Sequence, residues 1–279
     1  MKLYLYGIID SNDQITDSIY GLEGSGVYNI PFRDIGAVVS QINQPIQDVT
    51  EGAVLKHEAV VEKVMANFTV LPVRFQTVID GRDSLLSMMQ SYYKDFKDNL
   101  ARLHNKLEFG IKVIWPADKV KANILKVLKK EKQKTIESDN SPNKRFIEEK
   151  FEEYKIGKEF EAKADKFIKV MDIFFSRFAA EKKLEKLKTK NLLLDAVYLV
   201  EKDRENDFRE AFEHIKSGPP GLKYLFSGPW PAYNFVSLGC ARDKVLSKSG
   251  NSAGLTDSEQ ADLFDKVTQC QALVGVDSI

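Results

Sequence analysis

Two cysteines and three histidines are all that 279 residues supply of the softer metal ligands. Cys240 and Cys270 cannot make a disulfide framework, and His57, His104 and His214 are scattered without zinc-ligand spacing. No apolar run approaches the ~20 residues that a membrane span needs. The opening MKLYLYGIID meets Asp10 before a secretory apolar core develops, so the chain is expected in the cytoplasm. Excess charge of either sign is also missing, with 41 Lys+Arg against 41 Asp+Glu. That balance gives no general case for binding nucleic acid or an anionic membrane. It suits a protein that lives in an assembly, because little net charge means little mutual repulsion. Walker loops, dinucleotide fingerprints, G-x-S-x-G elbows and HExxH pairs are absent. Gly24-Ser25-Gly26 leads into a strand rather than a helix and offers no helix N-terminus to a phosphate.

Aromatic and apolar material is plentiful, with 17 Phe and 10 Tyr to fill a core. The length suits two domains. Residues 2–9 (KLYLYGII) are bulky on both faces and predict a buried strand. Strands follow at 27–30 and 35–42, then a helix over 52–66 with Ala53, Val54, His57, Val60, Val61 and Val64 on one face. Residues 70–79 alternate, with Leu71, Val73, Phe75, Thr77 and Ile79 opposite Arg74 and Gln76. Pro72 lacks a backbone donor and marks a strand start or edge. A helix is predicted from Ser84 to about Leu103, with Leu85, Met88, Tyr92, Phe96, Leu100 and Leu103 inward.

The clearest alternation lies over 107–115, where Leu107, Phe109, Ile111, Val113 and Trp115 oppose Glu108, Gly110, Lys112 and Ile114. A helical stretch starts at Asp118, the SDNSPN segment at 138–143 breaks it, and a long helix is predicted over 144–188. Its seam of Phe160, Ala164, Phe167, Met171, Phe174 and Phe178 steps 4-3-4-3-4, which fits a short coiled coil or a helical hairpin within the chain. Residues 118–190 hold 21 Lys/Arg against 14 Asp/Glu. A solvated helix face accounts for this, and a docking surface for an acidic partner is the sharper alternative. Strands at 192–202 and 222–228 flank a helix at 204–216, and 233–237 reads as a further strand. This order is that of a modified split βαβ, or ferredoxin-like, domain. We therefore expect an α+β chain with an N-terminal domain at 1–106 and a second, modified ferredoxin-like domain at 107–237 carrying a long helical insertion at 117–190. A polar tail occupies 238–279, in which Thr256-Asp257-Ser258-Glu259 is a capping-box pattern opening a helix with Leu263, Phe264 and Val267.

Three features bear on function. His57 lies on an apolar helix face, where a histidine is either structural or a general base. Arg74 stands on the polar face of its strand, either in an ion pair or, with His57 and a carboxylate, in a small-molecule active site. Ser227-Gly228-Pro229-Trp230-Pro231-Ala232-Tyr233-Asn234-Phe235 is a stiff loop, because the prolines hold φ near −65°. It presents Trp230 and Tyr233 to a partner, or folds Trp230 back as a lid on its own domain.

In order along the chain, several segments are similar to the gas vesicle protein F/L family (GvpF/GvpL). They are Tyr4-Leu5-Tyr6-Gly7-Ile8, His57, Val70-Leu71-Pro72-Val73-Arg74-Phe75-Gln76-Thr77-Val78, Glu108-Phe109-Gly110-Ile111-Lys112-Val113, Gly157-Lys158 and the 227–235 loop. LPVRF and SGPWP-x-YNF are the specific ones, and the set spans roughly residues 3–237. Gln76 departs from the pattern, the family having Gly there, and the tail from 238 runs past where many relatives stop.

The resemblance implies a two-domain α+β protein, without cofactor, metal or enzymatic activity, that serves as an accessory or minor structural component of gas vesicles. Its implied partners are the very apolar major shell protein and other accessory proteins, with neither nucleic acid nor membrane among them. Apolar shell subunits aggregate in water unless something covers them, and a soluble partner with an apolar surface can do that without chemistry. The residues expected to carry the contact or the family pattern are Tyr4, Gly7, His57, Leu71, Pro72, Arg74, Phe75, Gly157, Gly228, Pro229, Trp230, Pro231 and Tyr233. The alternative is a small-molecule enzyme using His57 and Arg74.

Overall fold

In the computed structural model the described residues are 2–15, 18–43, 49–132, 142–187, 189–217 and 221–238. The expectations for the tail, including its capping box, Cys240 and Cys270, lie outside them. The described chain forms two compact units. One takes the residues up to Glu108 together with those from Gly228 onward, and the other runs from Phe109 to Ser227.

In the first unit, β1 (Lys2–Ile9) is the centre of a sheet ordered β2-β3-β1-β4, with β2 (Val27–Phe32), β3 (Ile35–Ile42) and β4 (Val70–Pro72). The short β5 (Val78–Ile79) also pairs with β1. These pairings are antiparallel. Residues 3–9 of β1 are buried throughout, as expected of a strand apolar on both faces. A bulge between Leu5 and Gly7 re-aims the strand. At Gly7 an added Cβ would stand 2.8 Å from the Leu71 carbonyl oxygen, so only glycine lets β4 approach this closely.

Helix α1 (Glu51–Met65) is capped by Thr50, whose side chain accepts from the Ala53 N–H. It buries His57, Val60, Val61 and Val64 against Tyr4, Tyr6, Ile9, Val38 and Val70. The predicted helix over 84–103 is in fact two, α2 (Gly81–Ser91) and α3 (Tyr93–Leu103), broken at Tyr92 (φ −106°, ψ 12°). Tyr92 is exposed there instead of facing inward, and Met89 is buried in α2.

The segment 70–79 is not one strand. It pairs as β4, turns at Phe75-Gln76, and pairs again as β5. Gln76 takes φ 68°, which no continuous strand allows, and the Thr77 N–H and hydroxyl both close onto the Arg74 carbonyl. Alternation alone cannot register such an interruption, because the apolar spacing is kept across it.

In the second unit a four-stranded sheet is ordered β7-β8-β6-β9, with β6 (Lys106–Ile114), β7 (Ala179–Lys186), β8 (Leu192–Glu201) and β9 (Lys223–Trp230). The helices are α4 (Ala117–Lys132), α5 (Pro142–Ser176) and α6 (Glu205–Lys216). The 4-3-4-3-4 seam is buried as expected, and it packs onto the unit's own sheet. Phe160 of the seam lies 4.3 Å, ring to ring, from Trp115, and Phe175, beside the seam's Phe174, lies 5.5 Å from Tyr198 of β8.

The long helix ends at Ser176, short of the expected 188. Residues 179–186 form β7, antiparallel to β8. Ala-Glu-Lys-Leu composition favours helix by propensity, but pairing with β8 overrides it. A lysine-rich strand at a sheet edge also resists stray pairing with other chains. Lys182 and Lys186 tie it to Asp172 and Asp165 of α5, at 2.5 Å each. Residues 233–237 form a turn and coil in place of a strand. Glu108, expected on the polar face of its strand, is buried at 4% exposure.

Candidate partner-binding site

The first unit brings the separate motif segments together around two buried tyrosines. Tyr4 and Tyr6 flank Leu5 on β1, and their ring centroids lie 4.9 Å apart. The Tyr4 hydroxyl accepts from the Gln76 backbone N–H at 2.9 Å and stands 3.0 Å from His57 Nδ1. We assign its proton to that bond, which places the imidazole proton on Nε2. Tyr6 accepts from the Leu22 N–H and pairs with the Ser40 hydroxyl.

His57 is fully buried, stacked on Tyr6 at 5.5 Å and edge-on to Phe75 at 5.9 Å. Burial pushes it down to about 4, partly offset by the Val73 carbonyl. It is thus a neutral ring at physiological pH. Its Nε2 makes no hydrogen bond of ordinary geometry. Burial likewise pushes Tyr4 up to about 12 and raises Tyr6.

The segment after β9 closes the same unit. Glu108 accepts from the Asn234 backbone N–H at 2.8 Å and from its side-chain amide at 2.5 Å. Asn99 of α3 bonds both the N–H and the carbonyl of Ser237, and Arg102 donates to the Phe235 carbonyl. Ala232 and Phe235 are buried. Tyr233 turns its hydroxyl inward beside Glu58 of α1 without a hydrogen bond of ordinary geometry, and burial raises the pKa of both groups.

Of the residues expected from sequence, Tyr4, His57, Phe75 and Tyr233 share one packed region, while Gly7 pairs with Pro72, next to Leu71, where β4 joins β1. Arg74 is exposed, and Phe75 is half-buried against Tyr4 and His57. Gly228 takes φ 111°, Pro229 and Trp230 are half-buried at the end of β9, and Pro231 is buried. Gly157 sits mid-way along α5 in the second unit, with open space where a Cβ would stand. The sequence reading missed Glu108, Asn99, Arg102 and Glu58 as anchors. The available signal was a carboxylate, Glu108, at the head of the Glu108-Phe109-Gly110-Ile111-Lys112-Val113 motif. An open depression of about 560 Å³ in the second unit, beside Trp115, Lys119 and Leu222, is lined by none of the expected residues.

The model of the family described as gas vesicle synthesis protein GvpL/GvpF matches residues 2–237. The chain belongs to this family. Gas vesicle protein F2 of Halobacterium salinarum is 25% identical over 240 residues, covering 85% of this chain and 92% of its own. Gas vesicle protein F of Dolichospermum flosaquae is 28% identical over 247 residues, covering 85% and 98%. The fold is that of solved GvpF structures. The one from Anabaena sp. PCC7120 has a TM-score of 0.71 at 21% identity, covering 86% of this chain and 99% of that one. The one from Microcystis aeruginosa gives 0.69 at 23% identity, covering 85% and 99%.

Family membership supports an accessory role in gas vesicles. The enzymatic alternative finds no support, because His57 is closed into packing with its Nδ1 taken by Tyr4, while Arg74 faces solvent. Among the described residues no helix is long and apolar enough to cross a membrane.

Proposed function

We propose that this protein is a non-enzymatic gas vesicle accessory protein that binds the major apolar shell protein and supports vesicle assembly, soluble in the cytoplasm before it joins the shell. The observation that carries this reading is the family match across residues 2–237. Packing around His57 is consistent with it, since Tyr4, Tyr6 and Phe75 enclose the ring. The contact is placed at Trp230, a half-buried aromatic at the end of the edge strand β9. The strand order β7-β8-β6-β9, with helices after β6 and after β8, supports the ferredoxin-like reading of the second domain, whose described core runs from Phe109 to Ser227.

The test is to co-purify the protein with the shell protein and to delete its gene in the host. Association together with loss of buoyant vesicles is expected. Normal vesicles without the gene, and no association, would overturn the proposal.

A further inference from the structure

Two guanidinium groups meet without an acid between them where α5 gives way to β7 in the second unit. Arg177 follows the last residue of α5, and Arg204 ends the short turn Lys202–Arg204 between β8 and α6. Both reach one ring, their guanidinium carbons lying 4.6 Å and 5.4 Å from the centre of Phe178. That of Arg177 also lies 5.0 Å from the centre of Phe174. Arg204 Nη1 donates to the Arg177 carbonyl at 2.8 Å, which holds the second side chain beside the first. The two rings are buried and the two arginines half-buried.

Like charges repel more strongly as water is excluded from around them. Burial and the Arg204 charge together push the Arg177 guanidinium below its ordinary value. Among the described residues neither arginine pairs with a carboxylate. Glu205, next to Arg204, pairs instead with Arg209 at 2.9 Å, and Asp172 of α5 holds Lys182 at 2.5 Å. Nη1 of Arg177 is buried without a hydrogen bond, which costs stability unless something offsets it. The ring faces and the negative end of the α5 dipole, roughly half an elementary charge, offset part of the charge and leave the pair cationic.

We propose that Arg177 and Arg204 form a binding site for a doubly charged tetrahedral oxyanion of the phosphate class. Each guanidinium offers a planar fork of N–H donors, and a single carboxylate is filled by one fork. A phosphate group has oxygens for two forks and charge to balance both. With Nη1 of Arg177 closed off, the anion takes the Nε–Nη2 edge of that side chain and the remaining donors of Arg204.

The test titrates inorganic phosphate into the full chain by isothermal calorimetry at pH 8, with sodium chloride holding the ionic strength constant. One saturable site per chain is expected. Arg177→Gln is expected to weaken it at least tenfold, and Arg177→Lys, which keeps the charge and loses the fork, at least threefold. Lys202→Gln removes an exposed cation from the same turn as Arg204 and is expected to change affinity less than twofold. Circular dichroism checks each variant, and Arg204→Gln repeats the measurement should Arg177→Gln fail to fold. Phenyl phosphate distinguishes the source, since binding at least threefold tighter than phosphate assigns a phosphomonoester and anything weaker the free ion. No saturable heat from either probe up to about 20 mM would overturn the proposal and leave the pair with ring and helix-end contacts alone. So would acetate binding as tightly as phosphate, or Lys202→Gln weakening the site as much as Arg177→Gln.

Discussion

The hydroxyl of Tyr4, on the central strand of the first unit, stands 3.0 Å from Nδ1 of His57, fifty-three residues away on α1. The same oxygen takes the Gln76 backbone N–H at 2.9 Å, so one side chain closes a strand, a helix and a turn together. Removing it takes this partner from the buried His57 Nδ1 and from the part-buried Gln76 N–H. Tyr4→Phe is expected to destabilise the chain by about 1–3 kcal/mol through those groups. Urea denaturation checks it, and a variant within ~0.5 kcal/mol of the parent would show that neither bond contributes.

His57 makes stability depend on pH. Its ordinary value of 6.5 falls to about 4 in the fold. Between these values the unfolded chain binds a proton that the folded chain refuses. The contribution is therefore complete above about pH 6.5 and is lost as pH falls towards 4, by up to roughly 3 kcal/mol. Glu58 opposes it, because burial raises its carboxyl, so its contribution is lost as pH rises through the raised value. Subtracting the curve of His57→Gln from that of the parent isolates the ring. The difference is expected to shrink as pH falls from 7 to 4.5, and parallel curves would contradict this.

Gln76 stands where the resemblance led us to expect glycine. Its φ of 68° lies in the left-handed region, where a side chain costs ~1–2 kcal/mol and glycine does not. Glycine returns part of that gain through its greater unfolded entropy, ~0.5–1 kcal/mol. Gln76→Gly is thus expected to raise stability by about 0.5–1 kcal/mol in thermal or chemical denaturation. A loss would mean that the Gln76 side chain contributes more than the backbone relief.

Glu108 pins the 231–237 segment through both carboxylate oxygens on Asn234. Hydrogen bonds to a charged group contribute about 1.5–3 kcal/mol. Glu108→Ala is expected to cost that much and to open the Asn234 amide to hydrogen exchange, while Glu108→Gln retains part of the protection. Unchanged exchange at Asn234 would remove the anchoring role.

Trp230 is half-buried, so its truncation forfeits only part of the ~3–5 kcal/mol that a core aromatic is worth. Trp230→Ala is expected to weaken shell-protein binding at least tenfold in co-sedimentation, with a modest fall in melting temperature. A large fall with binding intact would favour a lid.

Much of this was legible in order along the chain. β1, β3, α1 and α6 follow from periodicity, since each buries one stripe or both faces of a regular element. β7 was not, because an edge strand exposes most of its side chains and can be charged enough to resemble a helix. The turn at Gln76 was hidden for a different reason: apolar spacing continues across it, and the bonds from Gln76 to Tyr4 and from Thr77 to Arg74 that hold the bend do not show in the spacing.

By itself the amino-acid sequence determined the family, the α+β composition and the segments that matter, since these reside in local pattern and ordered motifs. The tertiary structure alone decided that His57 is a buried neutral ring rather than a base, and that Glu108 is an anchor rather than a solvated charge. Burial and hydrogen-bond partners come from residues distant in the chain, and those set protonation and exposure.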